Sequence, residues 1–159
     1  MPTRLIFLIL ITLNLCGCNL LNIQADKPRP ELSELTDLEK RASEAYINED
    51  WETAEEAYRE LTLQLPGEAE PWFRLGNVYA RTNQLNAAVA TYREALIRKP
   101  SNSKVWHNMG VIQRKQAANT FLEMQQFTEE NDPLAIRARY AVNSIANLID
   151  SGFQPDDKQ

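Results

Sequence analysis

The chain resembles itself at a shift of 34 residues, and few folds tolerate such a period. Leu38, Trp72 and Trp106 occupy equivalent places, as do Ala42, Gly76 and Gly110. Leu75 corresponds to Met109, Ala54 to Ala88, Tyr58 to Tyr92 and Pro66 to Pro100. A period of this length marks a supersecondary unit that cannot bury its apolar face alone, so that successive units must stack. A chain of 159 residues has room for a small domain or a short array of such units.

The middle unit is the most regular. Trp72, Leu75 and Tyr79 stand at i, i+3 and i+7, on one face of a helix. Gly76 and Ala88 are small and let two helices approach closely. Tyr92 and Ala95 continue the core face of a second helix, and Pro66 and Pro100 stop their helices. Trp72 and Trp106 are read as core residues. The first unit is looser. Arg41 and Ala45 stand where Leu75 and Tyr79 would be, with Tyr46 and Trp51 as compensation. The third begins with Trp106, Met109 and Gly110 and then departs. It has no turn residue between Arg114 and Phe127, so one helix is expected to run on to about Phe127, with Ala117, Phe121 and Met124 on its second apolar face. Asn131-Asp132-Pro133 opens a last helix, a capping side chain followed by a first-turn proline. Its expected apolar stripe is Leu134, Ile136, Tyr140, Ala141, Ile145, Leu148 and Ile149, and Ser151-Gly152 ends it.

Trp72-x-x-Leu75-Gly76-x-x-Tyr79, followed by Ala88, Tyr92, Ala95 and Pro100, is very similar to the tetratricopeptide repeat signature, and the resemblance extends over about residues 35–118. It implies an all-α fold: a short solenoid of antiparallel helix pairs with a C-terminal capping helix. The expected organisation is a repeat region over 33–128 (about two full repeats and a degenerate third), a capping helix over 129–152 and a polar tail over 153–159. The family's mode of binding implies a concave groove, lined by the first helix of each repeat, that holds a peptide or a helix of another envelope protein. Carried over by spacing, that groove comprises Glu39, Ser43, Tyr46, Phe73, Asn77, Arg81, Lys104, His107, Asn108, Val111 and Arg114. Its middle and C-terminal part is basic, which points to an acidic or carboxylate-bearing ligand. Asn77 and Asn108 match two places of the carboxylate clamp found in some members. Phe73 stands where the clamp lysine belongs, so a clamp is not expected.

The N-terminus reads differently. Arg4 precedes a nearly unbroken apolar run, Leu5 to Leu13, about half as long as a bilayer-spanning helix and the size of a signal-peptide core. Leu15-Cys16-Gly17-Cys18 resembles the lipobox of bacterial lipoproteins. The resemblance implies that residues 1–17 are a signal peptide and that Cys18 is lipidated and becomes the first residue of the mature chain. Cys16 is then discarded. Several acyl chains give firm anchoring. Residues 18–32 follow as the lipidated cysteine and a flexible linker containing Lys27-Pro28-Arg29-Pro30. Asn19 in place of aspartate implies the periplasmic face of the outer membrane.

Little chemistry is expected. A net charge of −5 argues against a general nucleic-acid binder. His107 is the single histidine, so a histidine-rich metal site is excluded. Glu52, Glu55, Glu56 and Glu60 lie at helical spacing and read as a solvated face. No catalytic residue, cofactor or metal is expected. The reading is a non-enzymatic adaptor or assembly factor for a pilus, secretion or cell-wall complex. The alternative is a peptidoglycan- or glycan-binding lipoprotein using Tyr46 and Phe73.

Overall fold

The structure is a computed structural model that describes residues 31–150. The expected signal peptide, Cys18, the linker up to residue 30 and the tail after 150 lie outside the described residues.

Six helices and no strand occur among the described residues: α1 (Leu32–Ile47), α2 (Trp51–Gln64), α3 (Ala69–Arg81), α4 (Leu85–Arg98), α5 (Ser103–Gln125) and α6 (Pro133–Asp150). Each packs on the next in chain order, and α3 also touches α5. This is the expected all-α solenoid of helix pairs.

The 34-residue period recurs in the backbone. After α1, the Asn48 N–H reaches Glu44 O at 2.9 Å and the Asp50 N–H reaches Ala45 O at 2.9 Å. After α3, the equivalent Thr82 and Gln84 N–H groups reach Val78 O at 3.0 Å and Tyr79 O at 2.8 Å. Between them Glu49 and Asn83 adopt positive φ, 59° and 61°, the left-handed residue that ends many helices. Asp50 then caps α2, its Oδ1 accepting from the Thr53 N–H at 3.2 Å, and Asn102 caps α5 by accepting from the Val105 N–H at 3.4 Å.

Two apolar clusters form the core. The first joins α1, α2 and α3 through Leu38, Ala42, Ala45, Ala54, Ala57, Tyr58, Leu61, Leu75 and Val78. The second joins α3, α4 and α5 through Phe73, Ala88, Val89, Tyr92, Ala95, Leu96, Val105, Met109 and Ile112. Tyr79 packs against both. At Gly76 α3 and α4 approach closely: a Cβ there would lie 2.5 Å from Tyr92 Cδ1 and Cε1. In the first unit Tyr46 and Trp51 do compensate, meeting edge-to-face at 5.4 Å, with Tyr46 also edge-on to Tyr58 at 6.4 Å.

The tryptophan reading needs correction. Trp72 is only half-buried, with the Arg98 guanidinium 4.3 Å from its ring centroid. Trp106 is 53% exposed, and its indole N–H donates to Pro100 O at 2.9 Å. The equivalent carbonyl of Pro66 accepts from Arg98 Nε. At the repeat boundary, then, the proline carbonyl is served by whichever long donor is at hand, and Trp106 is held by that bond rather than by burial.

The third unit lacks a turn, as its sequence implied: α5 runs unbroken through 23 residues. Asp132 caps α6 by accepting from the Leu134 N–H at 2.7 Å. The α6 stripe is shifted from its expected place. Leu134, Ile136 and Tyr140 are exposed, while Ala135 and Ala138 are buried where α6 folds back on α5. Close helix packing selected the small residues, and Leu134, Ile136 and Tyr140 were left outside.

Candidate functional site

The concave side opens between α1 and α3 as a groove of about 910 Å³. Glu39, Ser43, Tyr46 and Ile47 of α1 form one wall, and Glu70, Pro71, Arg74 and Arg81 of α3 form the other. Tyr58 and Leu61 of α2, together with Leu65, make the floor, and Glu49, Trp51 and Glu68 lie at the margins. The α1 face that spaces Glu39, Ser43 and Ile47 every four residues is what turns them together into the groove.

Four of the sequence-predicted residues meet here: Glu39, Ser43, Tyr46 and Arg81. Phe73 and Asn77 share a helix face with Arg81, yet both are buried, at 4% and 3% exposure. Phe73 packs against the Tyr92 ring at 6.2 Å between centroids. Asn77 Oδ1 accepts from the Tyr92 hydroxyl at 2.8 Å and from Asn108 Nδ2 at 2.9 Å. Asn108 is 1% exposed. These three are therefore structural residues of the α3–α4–α5 junction rather than contact surface. Equal spacing could not reveal this, because the face that is open in α1 is covered in α3 by Tyr92 of α4 and Asn108 of α5. Lys104, His107, Val111 and Arg114 lie on α5 and do not line the groove.

The expected basic groove is thus replaced by one with four carboxylates and two arginines. Arg74 Nε donates to Glu70 Oε1 at 2.7 Å, so that pair is closed. Glu39, Glu49 and Glu68 make no ion pair or side-chain hydrogen bond among the described residues. The Tyr46 hydroxyl oxygen is shielded from solvent and has no hydrogen-bond partner. Burial raises the Tyr58 phenol above its ordinary value; the Arg74 charge opposes this, and Tyr46 and Glu70 add to it. Sequence reasoning missed Glu49, Tyr58, Glu68, Glu70 and Arg74 as groove residues. Tyr58 was visible as a core position of the repeat, but nothing in the spacing shows that its rim-facing edge stays open.

Outside the groove, the Glu52–Glu60 group is a polar surface: Glu60 bonds Arg41 at 3.4 Å and Gln64 at 2.8 Å, and Glu55 pairs with Arg59. No group of His, Cys, Asp or Glu among the described residues is arranged to hold a metal.

Stacked helix pairs enclosing an open concave groove define a helical-repeat solenoid. Residues 69–102, which hold α3, α4 and the turns beside them, match the tetratricopeptide repeat family. No curated protein matches the chain. A repeat of this kind points to a protein–protein interaction role, and proteins built from it are generally non-catalytic interaction modules.

Proposed function

We propose that this protein is a lipid-anchored adaptor or assembly factor of a bacterial envelope complex, binding another envelope protein in the α1–α3 groove. The observation that carries the reading is the groove itself: a mostly preformed apolar floor of Tyr58, Leu61 and Leu65 within a repeat architecture built for segment recognition. Its volume suits a peptide or one face of a partner helix. The Leu15-Cys16-Gly17-Cys18 sequence supports anchoring through Cys18, at the periplasmic face of the outer membrane. The complex served would be a pilus, secretion or cell-wall machine. The glycan-binding alternative loses half its candidates, because Phe73 is buried.

Two experiments test the two halves of this reading. A photo-crosslinking amino acid replaces Ile47, which is 76% exposed and lines the groove, in the full-length chain in a bacterial envelope. The same residue at Leu63, 72% exposed and outside the groove, is the control. Adducts from position 47 alone are expected; adducts from 63 alone would move the partner elsewhere. For the anchor, labelled palmitate should enter wild type and Cys16→Ser but not Cys18→Ser. Equal labelling of Cys18→Ser refutes lipidation at that residue.

A further inference from the structure

We infer that the α1–α3 groove selects a cationic segment: a partner peptide that alternates apolar residues with lysine or arginine. The inference rests on the groove being the docking site and names the chemistry of what docks there.

The charges are one-sided. With Glu70 and Arg74 closed on each other at 2.7 Å, the groove presents Glu39, Glu49 and Glu68 against Arg81. Glu39 lies in the middle of α1, Glu49 holds the left-handed turn after it, and Glu68 precedes α3. The three carboxylates come from α1, the turn after it and the residue before α3. An incoming carboxylate would meet repulsion from most of the rim, whereas an ammonium or guanidinium would pair with carboxylates that have no ion-pair partner among the described residues.

The rings point the same way. Tyr46 meets Trp51 and Tyr58 edge-to-face at 5.4 and 6.4 Å, so each contact covers only one face of one ring. Aromatic faces beside carboxylates attract cations through the ring quadrupole as well as through charge. Between the charges the floor of Tyr58, Leu61 and Leu65 accepts aliphatic side chains. A sequence alternating apolar and basic residues fits both.

The test uses two labelled, capped peptides, one alternating leucine with lysine and one alternating leucine with glutamate. Each is titrated by fluorescence anisotropy into the full-length chain in detergent micelles. The lysine peptide should bind and the glutamate peptide should not. Glu39→Gln, Glu49→Gln and Glu68→Gln combined should weaken lysine-peptide binding by about tenfold, more at low salt. Glu34→Gln, Glu52→Gln and Glu56→Gln remove the same charge from exposed positions outside the groove and should leave binding unchanged. If both triple variants weaken binding equally, attraction is only to the acidic chain as a whole and the inference is wrong. It is also wrong if the glutamate peptide binds as well as the lysine peptide. Such a result combined with position-47 adducts leaves groove docking standing and removes only the cation. Loss of the adducts removes the docking site itself.

Discussion

Gly76 and Gly110 are equivalent in the 34-residue repeat, yet alanine should act on them in opposite directions. At Gly76 a Cβ would fall 2.5 Å from two ring carbons of Tyr92. The ring has no room to retreat. Tyr92 is 0% exposed, packed on Phe73, and tied by its hydroxyl to Asn77. Overpacking of this kind costs about 1–3 kcal/mol. Replacing a mid-helix glycine by alanine returns about 1 kcal/mol; a clash with two carbons of a fully buried ring belongs at the upper end of the overpacking range, so Gly76→Ala should lose about 2 kcal/mol net. At Gly110 nothing lies within 4 Å of the same added atom. Only the helix term remains, and Gly110→Ala should gain about 0.5–1 kcal/mol. For a domain of this size, 1 kcal/mol moves the midpoint by roughly 3–5 °C. Thermal melts of the full-length chain in detergent, followed by far-ultraviolet circular dichroism, would place one variant below wild type and the other above it. If Gly76→Ala melted at or above wild type, the α3–α4 contact would be looser than described and the argument would fail.

Asn77→Ala should cost about 2–4 kcal/mol, because the Tyr92 hydroxyl and the Asn108 amide would both lose a buried acceptor; chemical denaturation measures it, and a loss below 1 kcal/mol would deny the network a structural role. Glu49→Gly should raise stability by about 0.5–1 kcal/mol by relieving a side chain at φ 59°, read as a higher melting midpoint. Alkaline pH should destabilise the fold. Burial raises the phenols of Tyr58 and Tyr92 above the ordinary 10.0, so the native state keeps protons that the unfolded chain releases. Stability from this source is complete below pH 10.0 and falls as pH rises past it. Tyr92→Phe should flatten that fall in a pH series of melts; an unchanged slope would show that Tyr92 does not carry it.

The repeat was legible because close packing makes the same demand at equivalent places in the first two units, where Ala42 and Gly76, Ala54 and Ala88, and Tyr58 and Tyr92 are all buried. Gly76 and Ala88 must be small, and Tyr92 and Ala95 must fill the space beside them; such demands survive in the sequence as identities. The α6 face was less legible for a related reason. Hydropathy gives weight to Leu134, Ile136 and Tyr140, but the contact with α5 admits only Ala135 and Ala138, and alanine is equally at home on a surface. The groove was half legible. Helical spacing placed Glu39, Ser43 and Tyr46 on one face, and the structure keeps them together. The same rule placed Phe73, Asn77 and Arg81 together, and there it failed for two of three. Periodicity says which residues share a face, not whether the neighbouring helix leaves that face open.

A stack of identical units is an open-ended lattice in one dimension, since each finished pair presents the surface on which another can seed. The uninterrupted α5 ends that growth. At 23 residues against 13 in α3, it extends about 35 Å where the repeat's own first helix extends about 20 Å. The segment that would have turned back to complete a third pair instead projects past the stack, and α6 lies along it. A further copy of the repeat would find no predecessor's second helix to pack on, because α5 does not turn back. The missing turn thus interrupts the repeat at α5.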